Sequence, residues 1–168
     1  MRSKFLPKIS LSELVKLQEE NQTEAIFEQL VLPLHEELYK KQDFSFIETL
    51  SPGQELLLRY DYVRMQALQG GFIQLIQNGY INLLLAMPDM LKQVGAPDMA
   101  QLLDDVLRVY TLNEEELSKE TSVEDFAKLY QEFIEFEDLD TRFAALHPSA
   151  EKAIVAYALR FPDEFIEL

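Results

Sequence analysis

The chain has 168 residues, no cysteine and a formal net charge of −15 at neutral pH. One domain is the natural prior for that length, and 48% hydrophobic residues are enough to build a core. The missing cysteines exclude disulfides, thiolate metal sites and a cysteine nucleophile, and the acidity disfavours direct nucleic-acid or anionic-membrane binding while favouring a basic partner.

The opening stretch has early basic residues, but Pro7 and Lys8 interrupt any apolar run. That pattern reads as no signal peptide and a cytoplasmic location. Ser10 with Glu13 reads as a capping box that opens a short helix to about Glu20. Thr23 opens the next, with Ile26, Phe27, Leu30 and Leu34 on one face and Pro33 expected to kink or restart it. Ser51, Pro52 and Gln54 form the clearest helix start in the chain. Leu56, Tyr60, Val63 and Ala67 continue it as an apolar stripe until Gly70 and Gly71 interrupt. A short helix from Phe72 should end at Asn78-Gly79, a left-handed cap pair.

Residues 65–88 carry no formal charge. A membrane span is excluded, because Gln66, Gln69, Gln74, Gln77, Asn78, Asn82 and three glycines break the run. A phosphate loop lacks its lysine and hydroxyl residue after Gly70-Gly71. The bare glycine pair still offers helix N-terminal amides to an anion, and the plainer reading is a helix–helix junction in which glycine permits close approach and a sharp turn.

A helix from about Tyr80, with Pro88 inside it, should stop at Gly95. Pro97 starts another, with Leu102, Leu103, Val106, Leu107 and Tyr110 inward and Asp104, Asp105 and Arg108 outward. Ser122 caps a further helix whose buried stripe is Val123, Phe126, Tyr130, Phe133 and Ile134. The last helix follows His147-Pro148, turns Ile154, Tyr157, Ala158 and Phe161 inward, and ends at Pro162. Strand signals are nearly absent. The fold class is therefore all-α, a single compact domain over residues 1–168 with about eight or nine helices, several short.

Catalytic chemistry has little to work with. His35 begins a zincin-like string, but Tyr39 stands where the second histidine belongs. His35 and His147 read as surface or helix-end residues. No metal, cofactor or catalytic set is assigned, and the chain reads as a non-enzyme.

Residues 113–168 hold 5 basic and 15 acidic side chains, net −10, two thirds of the whole excess. Glu114, Glu115, Glu116, Glu120, Glu124, Asp125, Glu132, Glu135, Glu137, Asp138 and Asp140 are opposed within that tract only by Lys119 and Lys128. On a continuous helix Glu132, Glu135 and Asp138 would form one row of anions, and Glu116 with Glu120 a second. Such rows resemble the charge pattern that DNA-binding proteins read on phosphates. A solvated face of an acidic protein is the plainer alternative.

Gly70, Gly71, Phe72, Gln74 and Asn78, then Val94-Gly95-Ala96, then Leu139, Asp140 and Phe143 form an ordered set. Over about residues 55–165 this set resembles a bacterial all-α family of largely unknown function that includes a DNA-mimic protein. Gln69 departs from the asparagine usual before the paired glycines, and the segment after Asn78 is more apolar than the family pattern. The motif residues read as structural. The resemblance implies an acidic homodimer whose carboxylates imitate DNA and occupy the DNA-binding surface of a transcription factor. The acidic residues named above come from charge density and not from the motif. The expected function is that of an acidic interaction protein acting on a basic partner in transcription regulation. The alternatives are an immunity- or antitoxin-like binder of a toxin, and an enzyme with a carboxylate-lined pocket.

Overall fold

A computed structural model describes residues 6–119 and 121–168. Among them there is no strand. Eight α-helices run in chain order: α1 Leu11–Glu19, α2 Thr23–Lys41, α3 Pro52–Gln77, α4 Met87–Val94, α5 Pro97–Leu112, α6 Glu114–Leu117, α7 Val123–Glu132 and α8 Glu135–Arg160. Short 3-10 turns occupy Phe44–Thr49, Ile81–Leu84 and Pro162–Glu164. No helix is long and apolar enough to cross a membrane among the described residues. The backbone divides into two compact units, one holding the described residues up to Asp61 with Ser149–Leu168, the other Tyr62–Pro148.

In the first unit α1 carries both halves of its capping box, with Glu13 N–H donating to the Ser10 hydroxyl at 3.2 Å and Ser10 N–H to the Glu13 carboxylate at 2.8 Å. Helix α2 runs unbroken through Pro33. The proline removes one hydrogen bond to the Gln29 carbonyl, but Gln29 is exposed and water can satisfy it. Ile26, Phe27, Leu30, Leu34 and Leu38 are buried on both sides of it, so packing outweighs the lost bond. The 3-10 turn at Phe44–Thr49 carries no helical repeat in the sequence; Asp43 caps it by accepting Ser45 N–H at 2.9 Å, and Phe46 and Ile47 bury into the unit.

The start of α3 is tied to the segment after α8. Ser51 Oγ donates to the Glu164 carbonyl at 2.8 Å, and Gly53 N–H to the Glu164 carboxylate at 2.7 Å. A Cβ on Gly53 would lie 2.4 Å from the Phe165 ring, so its absence admits that ring. His35 is not a surface residue: it lies half-buried in α2, with Nε2 2.6 Å from the buried Asp61 carboxylate.

In the second unit α3 does not run through as one regular helix. Gly71 has φ 80° and ψ −179°, which divides it at the predicted junction. The stretch after it ends as expected, with Gly79 left-handed at φ 81° and Tyr80 N–H returning to the Leu75 carbonyl at 3.0 Å. The helix expected from Tyr80 is instead a 3-10 turn followed by α4, and Pro88 sits in the first turn of α4 rather than inside a longer helix. Proline suits that place, since its missing N–H would have no helical partner there. Gly95, at φ 89°, ends α4. Helix α5 packs on α4 and buries Leu102, Leu103 and Val106, while Leu107 and Tyr110 are half-buried.

Several sequence expectations fail after residue 122, among them the inward placing of Phe161, which is 41% exposed. Ser122 does cap α7, accepting Asp125 N–H at 3.2 Å, but the helix stops at Glu132 and the chain turns at Phe133. The helical phase is lost there, so Ile134 is 67% exposed instead of buried, and Val123, in the first turn of α7, is 91% exposed. The turn lets Phe133 and Phe136 both enter the core. Helix α8 then runs through Pro148 without stopping. Ala144, whose carbonyl loses its partner, is exposed, as is Pro148, so the loss is again met by water. His147 lies inside this helix, with its ring stacked at 6.1 Å on that of Phe143.

Candidate functional site

The charge-free stretch and α7 together build the most elaborate polar arrangement of the second unit. At the Gly70-Gly71 junction the backbone groups of Phe72 and Gly70 leave the helical pattern and need partners. Asp140, on α8, accepts Phe72 N–H at 2.8 Å. Tyr130, on α7, places its hydroxyl 2.5 Å from the Gly70 carbonyl and 3.0 Å from the other Asp140 oxygen. The carboxylate thus caps the restarted helix, and the phenol closes the turn before it. A Cβ on Gly71 would lie 2.0 Å from the Tyr130 oxygen and 2.2 Å from Asp140, so only glycine fits. The Phe72 and Phe143 rings meet edge-to-face at 5.6 Å beneath this junction.

Partial burial pushes the Asp140 carboxyl above the usual aspartate range, against the hydrogen bonds from Phe72 and Tyr130 that favour its charged form. Burial, with the Asp140 charge next, likewise pushes the Tyr130 phenol up. The phenol therefore stays protonated and keeps its donor.

Beyond the junction the side-chain amides knit together. Gln74 donates to Gln66 at 3.0 Å and to Gln69 at 3.2 Å, and Asn78 donates to Gln66 at 2.8 Å. Gln77 donates to the Leu117 carbonyl and accepts the Thr121 hydroxyl at 3.0 Å. These bonds fix one floor of an open cleft of about 510 Å³, formed by Gln74, Gln77 and Asn78. Its wall is Thr121, Ser122, Val123 and Phe126. Every lining side chain is uncharged, and no carboxylate enters the lining. Phe126 stacks edge-on to Tyr130 at 5.8 Å, so the junction that holds Tyr130 also positions the wall.

The acidic residues lie around α6, α7 and the start of α8. Glu114, Glu115 and Glu116 are exposed on α6, a helix of four residues that is held by its fully buried Leu117. Glu120 lies outside the described residues. Glu124 and Asp125 are exposed in the first turn of α7, and Glu135, Glu137 and Asp138 in the first turn of α8. Acids at these positions also complement the helix dipoles. Because α7 ends at Glu132, that residue does not share a helix with Glu135 and Asp138, and α6 ends before position 120. The anticipated helical rows are therefore replaced by contacts between helices. Glu132 approaches Glu116, and a shared hydrogen bond with charge repulsion pushes its carboxyl above the usual glutamate range. Among the described residues Asp125 reaches Lys128 at 3.5 Å and Asp138 reaches Arg142 at 3.9 Å. Arg142 also holds Asp105 at 3.1 Å, which turns that residue from a free outward charge into a tether for α8.

Asp140 stands apart from this surface: it is half-buried and serves the junction. Leu139 and Phe143, its motif companions, are core residues. Tyr130, Thr121, Ser122 and Gln77 were missed as site residues by sequence reading. Tyr130 had been read as one member of an apolar stripe, and only its hydroxyl distinguishes it.

An all-helical chain built around a glycine junction, with an amide cleft above it and carboxylates around that, defines a structural class rather than a reaction. A family model described as DMP19-like protein matches residues 48–160. The chain belongs to that family. The matched span contains the Gly70-Gly71-Phe72 junction, the Gly95 cap and the Asp140 anchor. No curated protein matches the chain.

Proposed function

We propose that the protein is a non-enzymatic, acidic interaction protein that binds a basic DNA-binding protein and occupies its DNA-binding surface. The observation that carries this reading is the concentration of exposed carboxylates on α6, α7 and the start of α8, close enough that Glu116 raises the titration of Glu132. Closely spaced fixed anions attract the cationic surface that a DNA-binding protein offers to phosphates. Family membership supports the reading through the resemblance to a DNA mimic. Such a complex acts on transcription when the partner is a transcription factor.

The test is affinity capture from native lysate at low salt with elution on a salt gradient. A DNA-binding protein eluting late, and eluting earlier from a column bearing Glu124→Gln, Glu135→Gln and Asp138→Asn, is the expected result. Capture that is indifferent to salt and to these changes contradicts it.

A further inference from the structure

We infer that the amide cleft between α3 and α7 is a binding site for an extended peptide segment bearing lysine or arginine. The inference rests on the reading that the partner is a basic protein, and it assigns part of the recognition to uncharged groups. The lining offers both donors and acceptors. Asn78 uses one N–H on Gln66, leaving its second N–H and its carbonyl oxygen unengaged among the described residues. Gln77 uses one N–H and one lone pair, and keeps one of each. The Ser122 oxygen accepts Asp125 N–H, and its own proton remains to be donated. A group that both gives and receives hydrogen bonds is complementary to this set, and a peptide backbone repeats such groups along its length. Val123 and the Phe126 ring supply apolar wall for the carbon atoms between them. The volume, about 510 Å³, lies within the range of ligand clefts.

The charge around the cleft selects among amide-like ligands. Between wall residues Val123 and Phe126 stand Glu124 and Asp125, both exposed. Asp125 is engaged with Lys128 at 3.5 Å, and Glu124 has no ion pair among the described residues. A nucleotide brings phosphates that the carboxylates in this same turn of α7 repel, and a neutral sugar or nucleoside gains nothing from them. A peptide with a basic side chain gains both the amide contacts and a charge-assisted bond to Glu124.

Isotope-labelled full-length protein is titrated with three probes: a short blocked peptide of alternating alanine and lysine, the same peptide with glutamine for lysine, and spermine. The lysine peptide is expected to move the side-chain amide resonances of Asn78 and Gln77 and the backbone of residues 123–126. Spermine, which has the charge without the amides, should leave those side-chain amides unmoved. Asn78→Ala removes one partner at an exposed position, and Val123→Arg adds a repelling charge at a residue that is 91% exposed. Each should weaken the lysine peptide by about tenfold. Equal binding by these variants, or identical shifts from spermine and the lysine peptide, overturns the inference. Lysine-peptide binding confined to Glu132, Glu135 and Asp138 also overturns it, while leaving the acidic-surface reading intact. Equal cleft binding by the glutamine peptide overturns the assignment of a basic ligand and removes the cleft as support for a basic partner.

Discussion

Asp140 accepts the backbone N–H of Phe72 at 2.8 Å across 68 residues of sequence. This one bond explains why two glycines, an aromatic residue and a distant aspartate occur together. Gly71 makes the turn, Phe72 restarts the helix, and Asp140 caps the restart. Tyr130 adds the second tie and carries α7 with it.

Gly71→Ala should be strongly destabilising. The new methyl meets Tyr130 and Asp140 at 2.0 and 2.2 Å, at a φ of 80° and ψ of −179° that only glycine adopts readily. Backbone strain and a broken part-buried network together cost roughly 2–5 kcal/mol. Gly79→Ala shares a positive φ but meets nothing within 4 Å. It should cost only about 1–2 kcal/mol. Urea denaturation of both variants checks the order, and equal losses would refute the role given to the junction.

Asp140 gives a pH dependence of defined sign. Its folded carboxyl holds its proton to higher pH than the unfolded one, so between the two values the folded state binds more protons. Its contribution to stability is fully present below the unfolded value and is lost as pH rises through the folded value. Asp140→Asn keeps an acceptor for Phe72 N–H and does not titrate. The stability of the variant relative to the parent should therefore improve as pH rises from about 4 toward neutrality. Denaturation midpoints measured across that interval give the answer, and a trend in the opposite direction would contradict the burial argument.

The Glu116–Glu132 approach predicts a raised titration of Glu132 at the surface. Glu132 should lose its proton above the ordinary glutamate value of 4.5, first because Glu116 accepts its hydrogen bond and then because the two charges repel. In a Glu116→Gln variant both effects are reduced and the titration should return toward 4.5. Carboxyl carbon resonances followed through acid pH report it directly. An unchanged Glu132 curve would mean that the two helices do not bring these side chains together.

Much of the helical framework is legible from local chemistry. Ser10 with Glu13, Ser51 with Pro52 and Gln54, and Asn78 with Gly79 are signals confined to a few residues, and each marks a boundary in the structure. Pro33 and Pro148 misled because helix interruption by proline is a local penalty, and in both places the residue that carries the affected carbonyl is exposed while buried residues flank the site. Ile134 was misassigned because the stripe was extended past Phe133, where the chain leaves the helix, and Val123 because it stands in the first turn of α7, beyond the part of the stripe that packs. The Tyr130–Gly70 tie joins residues 60 apart, and no periodicity announces it. The cleft was hidden for a related reason. Its floor and wall are ordinary amides and hydroxyls, separated by more than 40 residues between Gln77 and Thr121.

Competition for DNA tests the central claim most directly. A labelled duplex bound to the captured partner is challenged with increasing amounts of the protein, and free duplex is followed by mobility shift. Occupation of the DNA-binding surface predicts complete release of the duplex, with release shifted to much higher concentration by the combined Glu124→Gln, Glu132→Gln, Glu135→Gln and Asp138→Asn changes. A ternary complex in which the partner holds the duplex and the protein together would contradict it.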